Sequence, residues 1–85
     1  MLRDEDITRI SAALAEELGR ARESAGLSKS LLAQRAGVAI QTVSFIEQGV
    51  NSPSIATYLR LCSALDVSPE DLLRRAQGAP PNDGD

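Results

Sequence analysis

The sequence predicts a single all-α domain of five helices. Apolar residues recur at steps of three and four along most of the chain, which is the spacing of helices that bury one face. Serines before several of these stretches, and glycines after them, mark where helices begin and end. No stretch alternates in the manner of a strand, and a chain of 85 residues has room for one core.

The first predicted helix runs from about Asp6 to Ala25. Either Asp4 or Asp6 is expected to cap its start, and Gly26 to end it. Its apolar stripe consists of Ile7, Ile10, Leu14, Leu18 and Ala21.

Two short helices follow, separated only by residues 37–39. The second helix begins after Ser28, a favourable N-cap, and is stopped by Gly37. The third covers Ile40–Gln48 and is stopped by Gly49. Two short helices joined by a tight turn that contains glycine form a helix-turn-helix.

Ser54 is expected to cap the fourth helix, which runs to about Leu65, and Ser68 to cap the fifth, which ends near Gln77. The fourth helix has apolar residues on two adjoining faces. One face holds Ile55, Leu59 and Cys62, and the other holds Tyr58, Leu61 and Leu65. The chain therefore divides into an N-terminal extension of helix one (1–13), a helix-turn-helix domain (14–77) and a disordered tail (78–85).

Composition argues against several function classes. The chain has one cysteine and no histidine, so we expect no enzyme activity, no metal and no cofactor. The acids at 4–6, 16 and 17 are interpreted as helix-start electrostatics and a solvated face. With no apolar run long enough to span a membrane and an acidic N-terminus, we expect a cytoplasmic protein. The net charge of −3 argues against bulk electrostatic binding of nucleic acid.

Several segments, in this order and spacing, resemble the phage-repressor/Cro-type (XRE) family of helix-turn-helix DNA-binding domains, over roughly residues 14–76. The segments are Gly26–Lys29, Leu32–Val38, Thr42–Gly49, Ser52–Ser54 and Leu59–Ser68. The resemblance implies a five-helix, lambda-repressor-like domain whose third helix enters the DNA major groove. The core that it implies is Leu18, Ala21, Leu32, Ala33, Ala36, Val38, Val43, Ile46, Leu59, Cys62 and Leu65.

The resemblance also implies a sequence-specific transcription regulator, which we expect to be a repressor, bound to operator double-stranded DNA as a homodimer. Gln41 suits adenine, whereas Ile40 and Phe45 suit thymine methyl groups. The implied base contacts are Ile40, Gln41, Ser44 and Phe45. The implied phosphate contacts are Ser28, Lys29, Thr42, Gln48, Asn51 and Ser52. Arg22 and Glu47 are expected to form a structural ion pair.

The sequence departs from the family around helix three, where relatives commonly carry Arg or Lys. Ala39 also replaces the usual Ser or Thr cap. An exposed apolar surface is expected from Leu31, Ile40, Phe45 and Val50. Such a surface suits an alternative function, a protein-interaction module (antitoxin-like or regulator-binding) with weak or no DNA binding.

Two surfaces are candidates for dimerisation, and the sequence does not choose between them. One is helix five with the loop before it, including Val67, Leu72 and Leu73. The other is the N-terminal extension of helix one, with Ile7 and Ile10.

Overall fold

A computed structural model describes residues 1–78, which form five α-helices around one core. Of the predicted tail (78–85), residues 79–85 lie outside the described residues. The helices are α1 (Asp4–Ser24), α2 (Lys29–Ala36), α3 (Ile40–Glu47), α4 (Ile55–Leu65) and α5 (Pro69–Ala76). The all-α prediction is confirmed, and the predicted helix bounds are correct to within two residues.

Helix starts follow from local chemistry at three of the five helices. The hydroxyl oxygens of Ser28, Ser54 and Ser68 each accept a hydrogen bond from the first turn of α2, α4 and α5. At α1 the prediction was only partly right. Arg3 takes the N-cap position, and the Asp6 carboxylate accepts a hydrogen bond from the Arg3 backbone N–H at 3.0 Å. Because α1 is continuous from Asp4, the predicted N-terminal extension is part of one long helix.

The helices pack so that α1 contacts α5 and α3, while α2 contacts α3 and α4. Their shared core is almost entirely aliphatic, as the low aromatic content requires. The buried cluster contains Leu18, Leu27, Leu32, Ala33, Ala36, Val43, Ile46, Tyr58, Leu61, Cys62, Leu65 and Leu72.

The predicted core needs one correction, on α4. Leu59 is 49% exposed, whereas Tyr58 and Leu61 are buried in its place. The helix is therefore rotated from the predicted orientation, and the Tyr58 hydroxyl donates a hydrogen bond of 2.7 Å to the Pro69 carbonyl at the start of α5. Ala21 and Val38 are partly buried and pack against the cluster.

No helix within residues 1–78 combines the length and the apolar character needed to cross a membrane. In the same part of the chain, no group of His, Cys, Asp and Glu side chains is arranged to hold a metal ion.

Candidate nucleic-acid interface

The turn between α2 and α3 has the geometry that the helix-turn-helix prediction requires. Gly37 ends α2 in the left-handed conformation, at φ +74°, which costs a glycine little. Its N–H donates to Gln34, and the Val38 N–H donates to the Ala33 carbonyl at 3.0 Å. This turn redirects the chain, and only three residues separate the end of α2 from the start of α3.

One face of α3 is anchored in the core and the other is open. Val43 and Ile46 are buried. Gln41 is exposed, and Ile40 and Phe45 are 46% and 43% exposed. Since the anchored face prevents the helix from rotating, the structure presents these three predicted base-contacting side chains outward together.

Ser44 and Thr42 are half-buried, so they are less accessible than the rest of the predicted set. The Gln48 side-chain amide donates to the Ser44 hydroxyl at 3.3 Å, which joins a predicted phosphate contact to a predicted base contact. This bond orients Gln48 along the helix surface and leaves Gln41 as the exposed amide of α3 without a side-chain partner among the described residues.

The loop after α3 folds back on the helix. Gly49 adopts a φ of +76°, and the Phe45 carbonyl accepts hydrogen bonds from the Val50 N–H at 2.9 Å and the Asn51 N–H at 3.4 Å. Asn51 and Ser52 are exposed beyond this loop. The structure thus places these two predicted phosphate contacts just past the C-terminal end of α3.

The other two predicted phosphate contacts lie at the start of α2. The Ser28 hydroxyl accepts a hydrogen bond from the Leu31 N–H at 3.0 Å, so its oxygen caps the helix. Lys29 is the first residue of α2 and is half-buried. Ser28 retains its O–H as a donor, and Lys29 supplies a positive charge at the same helix end.

Arg22 of α1 and Glu47 of α3 form a bidentate ion pair. The Arg22 Nε and Nη2 donate to the two carboxylate oxygens of Glu47 at 2.7 and 3.0 Å. The Arg22 Nη1 also donates to the Leu27 carbonyl at 2.8 Å. The two side chains are 13% and 10% exposed, and the hydrogen bond to Glu47 raises the pKa of Arg22. The pair ties the C-terminal end of α3 to α1 and to the loop before α2.

Charge is unevenly distributed along the fold, despite the net charge of −3. α1 carries six acidic side chains and three arginines. Residues 25–65 carry three cations, and their one acid is Glu47, which is held by Arg22. Within residues 1–78, none of the three cations Lys29, Arg35 and Arg60 forms a salt bridge. The helix-turn-helix and α4 are therefore electropositive, whereas α1 is acidic.

Sequence reasoning did not select Arg35 and Arg60 as site residues. Both line a shallow groove between α2 and α4, together with Ser63. A Cβ added at Gly37 would lie 3.9 Å from an Arg60 guanidinium nitrogen, which places Arg60 beside the turn. The sequence does contain a sign of this positive region, because no acidic residue occurs from residue 24 to residue 46.

The predicted apolar surface is only partly present. Leu31 is half-buried and packs against the core, so it does not belong to the exposed surface. Leu31 lies on the side of α2 that faces the core. Ile40, Phe45 and Val50 are exposed as expected.

A second groove, of about 550 Å³, lies between α1, α4, α5 and the loop after α3. Its walls include three exposed apolar side chains, Ile7 of α1, Ile55 of α4 and Leu73 of α5. Asn51 and Ser52 also line it. The exposed members of both predicted dimerisation surfaces therefore border the same groove, while Leu72 is buried in the core.

Comparisons with known proteins agree with this geometry. The chain is similar to the restriction-modification controller protein C.AhdI from Aeromonas hydrophila, with 30% identity and a TM-score of 0.69 over 74% of this chain and 94% of that protein. It is also similar to an HTH_3 family transcriptional regulator from Vibrio cholerae, with 33% identity and a TM-score of 0.72 over 86% of this chain. Only 40% of the Vibrio cholerae chain is covered.

No curated protein sequence gives a significant match. The family model for HTH_3, described as helix-turn-helix, matches residues 18–72, which is more than half of the chain. The matched range runs from the middle of α1 to the buried Leu72 of α5 and includes the whole helix-turn-helix. The chain therefore belongs to the HTH_3 family of helix-turn-helix, DNA-binding transcription regulators, which are not enzymes.

Proposed function

We propose that this protein is a cytoplasmic repressor that binds operator DNA as a homodimer and inserts α3 into the major groove. The observation that carries the proposal is the open face of α3, where Gln41 and Phe45 point outward from a helix fixed in the core. An α-helix fits the major groove, and its side chains can then reach the base edges.

Phosphate contacts come from both ends of the helix-turn-helix in this proposal. Ser28 and Lys29 stand at the start of α2, and Asn51 and Ser52 stand beyond α3. The free cations Arg35 and Arg60 add positive charge near the turn. Together they give a surface on which half of these residues are uncharged donors, and such donors position a duplex without releasing counterions.

Dimerisation is proposed across the groove bordered by Ile7, Ile55 and Leu73. These side chains are apolar and exposed, and Ile55 is 80% exposed, which is unfavourable in water for a branched aliphatic side chain. A second copy that covers this face would bury all three. Because Asn51 and Ser52 line the same groove, the two α3 helices would then flank the dimer contact.

The dimer is tested by Ile55→Glu, which places a charge in the proposed contact. We expect wild-type protein to sediment as a dimer at micromolar concentration and Ile55→Glu as a folded monomer with an unchanged helical circular dichroism spectrum. Val50→Glu, in the loop after α3, is the matched control and should remain dimeric. A wild-type monomer would contradict the proposed dimer.

DNA binding is tested by selecting duplexes from a random pool at two salt concentrations. We expect one palindromic site to be enriched. The affinity should fall with salt with a log–log slope no steeper than about −5 per dimer, since the three cations near the helix-turn-helix of each subunit are Lys29, Arg35 and Arg60 and each neutralised phosphate contributes about −0.9. Lys29→Gln should make the slope shallower by about 1 per subunit without changing the selected site.

Base reading is tested with Gln41→Ala and Phe45→Ala on the selected site. Each is expected to weaken specific binding by about 1–3 kcal/mol, while binding to random DNA changes little. If both variants select the same site with unchanged affinity, α3 does not read the bases. If no duplex is enriched by the wild-type protein, the exposed Ile40, Phe45 and Val50 favour the protein-interaction module instead.

A further inference from the structure

The open face of α3 lacks the side chains that most often read guanine. Arg and Lys make the commonest specific contact to guanine, at O6 and N7. The one charged residue among the eight of α3 is Glu47, and its carboxylate is held by Arg22. The exposed side chains that α3 offers a duplex are therefore one free amide, Gln41, and two apolar side chains, Ile40 and Phe45.

Ile40 and Phe45 cannot become buried in the core of the domain. Val43 and Ile46 fill the core on the opposite face, and the Phe45 carbonyl holds the following loop through the Val50 N–H. Gln41 and Phe45 are four residues apart, so they are neighbours on one helix face, and Ile40 precedes Gln41. An amide beside two apolar groups matches a stretch of the major groove in which a methyl group lies next to a hydrogen-bond donor and acceptor on a base edge.

In the major groove, the apolar group on a base edge is the 5-methyl of a pyrimidine. Thymine carries it, and 5-methylcytosine carries the same group at the same ring position, whereas uracil and cytosine lack it. A contact that depends on burying this methyl against Ile40 or Phe45 does not distinguish which of the two pyrimidines supplies it. It does distinguish each pyrimidine from its unmethylated form.

We propose that α3 recognises the 5-methyl group of pyrimidines through Ile40 and Phe45, so that 5-methylcytosine can replace thymine at the positions these side chains face. The proposal rests on the proposed function, since it needs α3 in the major groove. It adds that the methylation state of cytosine in the operator changes occupancy by this regulator. The electropositive surroundings of α3 suit a duplex as the occupant of this apolar face, because residues 25–65 carry no free acid.

The expected effect follows from the area that one methyl group buries. Transfer of one methyl-sized group out of water contributes about 0.8 kcal/mol, which corresponds to about a fourfold change in affinity. Each contacted thymine in the selected palindrome, when replaced by deoxyuridine, should therefore weaken binding about fourfold. At the same position, a 5-methylcytosine–guanine pair should bind about fourfold more tightly than a cytosine–guanine pair.

The experiment compares these duplexes, which differ only in a methyl group, with wild-type protein, Phe45→Ala and Ile40→Ala. Leu2→Ala is the matched control, because it removes an exposed apolar side chain that precedes α1. Support requires that wild type and Leu2→Ala discriminate within both pairs and that Phe45→Ala or Ile40→Ala abolishes the discrimination at some position. Thermal melting of each variant checks that it is folded.

The outcomes separate this proposal from the proposed function. If the wild-type protein selects a site but binds the thymine and deoxyuridine duplexes equally, methyl recognition is overturned and DNA binding stands. A selected site without thymine would overturn it in the same way. If no duplex is selected at all, the proposed function fails and methyl recognition fails with it.

Discussion

The carboxylate of Glu47 accepts two hydrogen bonds from Arg22 in a position that is nearly closed to water. Loss of one partner from such a pair leaves the other charge desolvated, which costs about 3–5 kcal/mol. Glu23 offers a matched comparison, because it lies 3.9 Å from the same guanidinium but is largely exposed. Exposed pairs of this kind contribute at most about 1 kcal/mol.

We therefore expect Glu47→Ala to destabilise the protein by about 3 kcal/mol and Glu23→Ala by less than about 1 kcal/mol. The measurement is urea unfolding followed by circular dichroism. Equal unfolding midpoints for the two variants would show that the Arg22–Glu47 pair contributes no more to stability than the exposed Arg22–Glu23 pair.

Two buried groups on α4 make stability sensitive to alkaline pH. Burial raises the pKa of the Cys62 thiol above its ordinary 9.0, and burial raises the pKa of the Tyr58 phenol above its ordinary 10.0. The unfolded chain therefore loses these protons at lower pH than the folded one. Their contribution to stability is complete below about pH 9 and declines as the pH rises above it.

Unfolding free energies measured between pH 8 and pH 11 should fall, and the fall should be smaller in Tyr58→Phe. Tyr58→Phe loses the hydrogen bond to Pro69 at every pH, so its free energy of unfolding is lower throughout. The quantity to compare is therefore the slope of the unfolding free energy against pH. Identical slopes in the two proteins would mean that Tyr58 does not titrate differently on folding.

At the scale of elements, α3 differs from its neighbours in how it begins. Ala39 has φ −72° and ψ 151°, close to the values at the capping serines of α2 and α4, yet no side chain caps α3. The backbone is already shaped for a cap that the residue does not provide. The replacement of the usual Ser or Thr by Ala39 therefore leaves α3 without a side-chain cap.

Ala39→Ser is expected to stabilise the domain by about 1 kcal/mol, since its hydroxyl can accept from the first turn of α3 without moving the backbone. Ser54→Ala, which removes the bond to the Thr57 N–H, should destabilise by a similar amount. Thermal unfolding of both variants gives the comparison. A lower melting temperature for Ala39→Ser would mean that the added hydroxyl does not cap α3.

The helix ends could be predicted because they depend on residues close in sequence. Serine caps and the left-handed Gly37 turn act within four residues of themselves. The orientation of α4 could not be predicted in this way. Apolar residues surround most of that helix, and packing against α2 and α5 decides that Leu61, not Leu59, is buried.

At the scale of the whole molecule, the sequence indicated which residues of α3 to consider but not how charge is arranged around them. The net charge of −3 argued against nucleic acid because it averages over the chain. The structure shows the Arg22–Glu47 pair that the resemblance implied, and it adds that Arg35 and Arg60 line one groove beside the turn. Arg35 and Arg60 are 25 residues apart in the sequence, so local patterns do not reveal that they share a groove.

The separation of acidic α1 from the cationic helix-turn-helix has a kinetic consequence. A molecule of this kind is a dipole, and the field of a polyanion turns it during diffusion so that its positive end arrives first. Encounters with α1 leading are repelled, whereas those with α2 and α3 leading are accelerated. Lower ionic strength should thus hasten association with DNA even though both molecules are negatively charged overall.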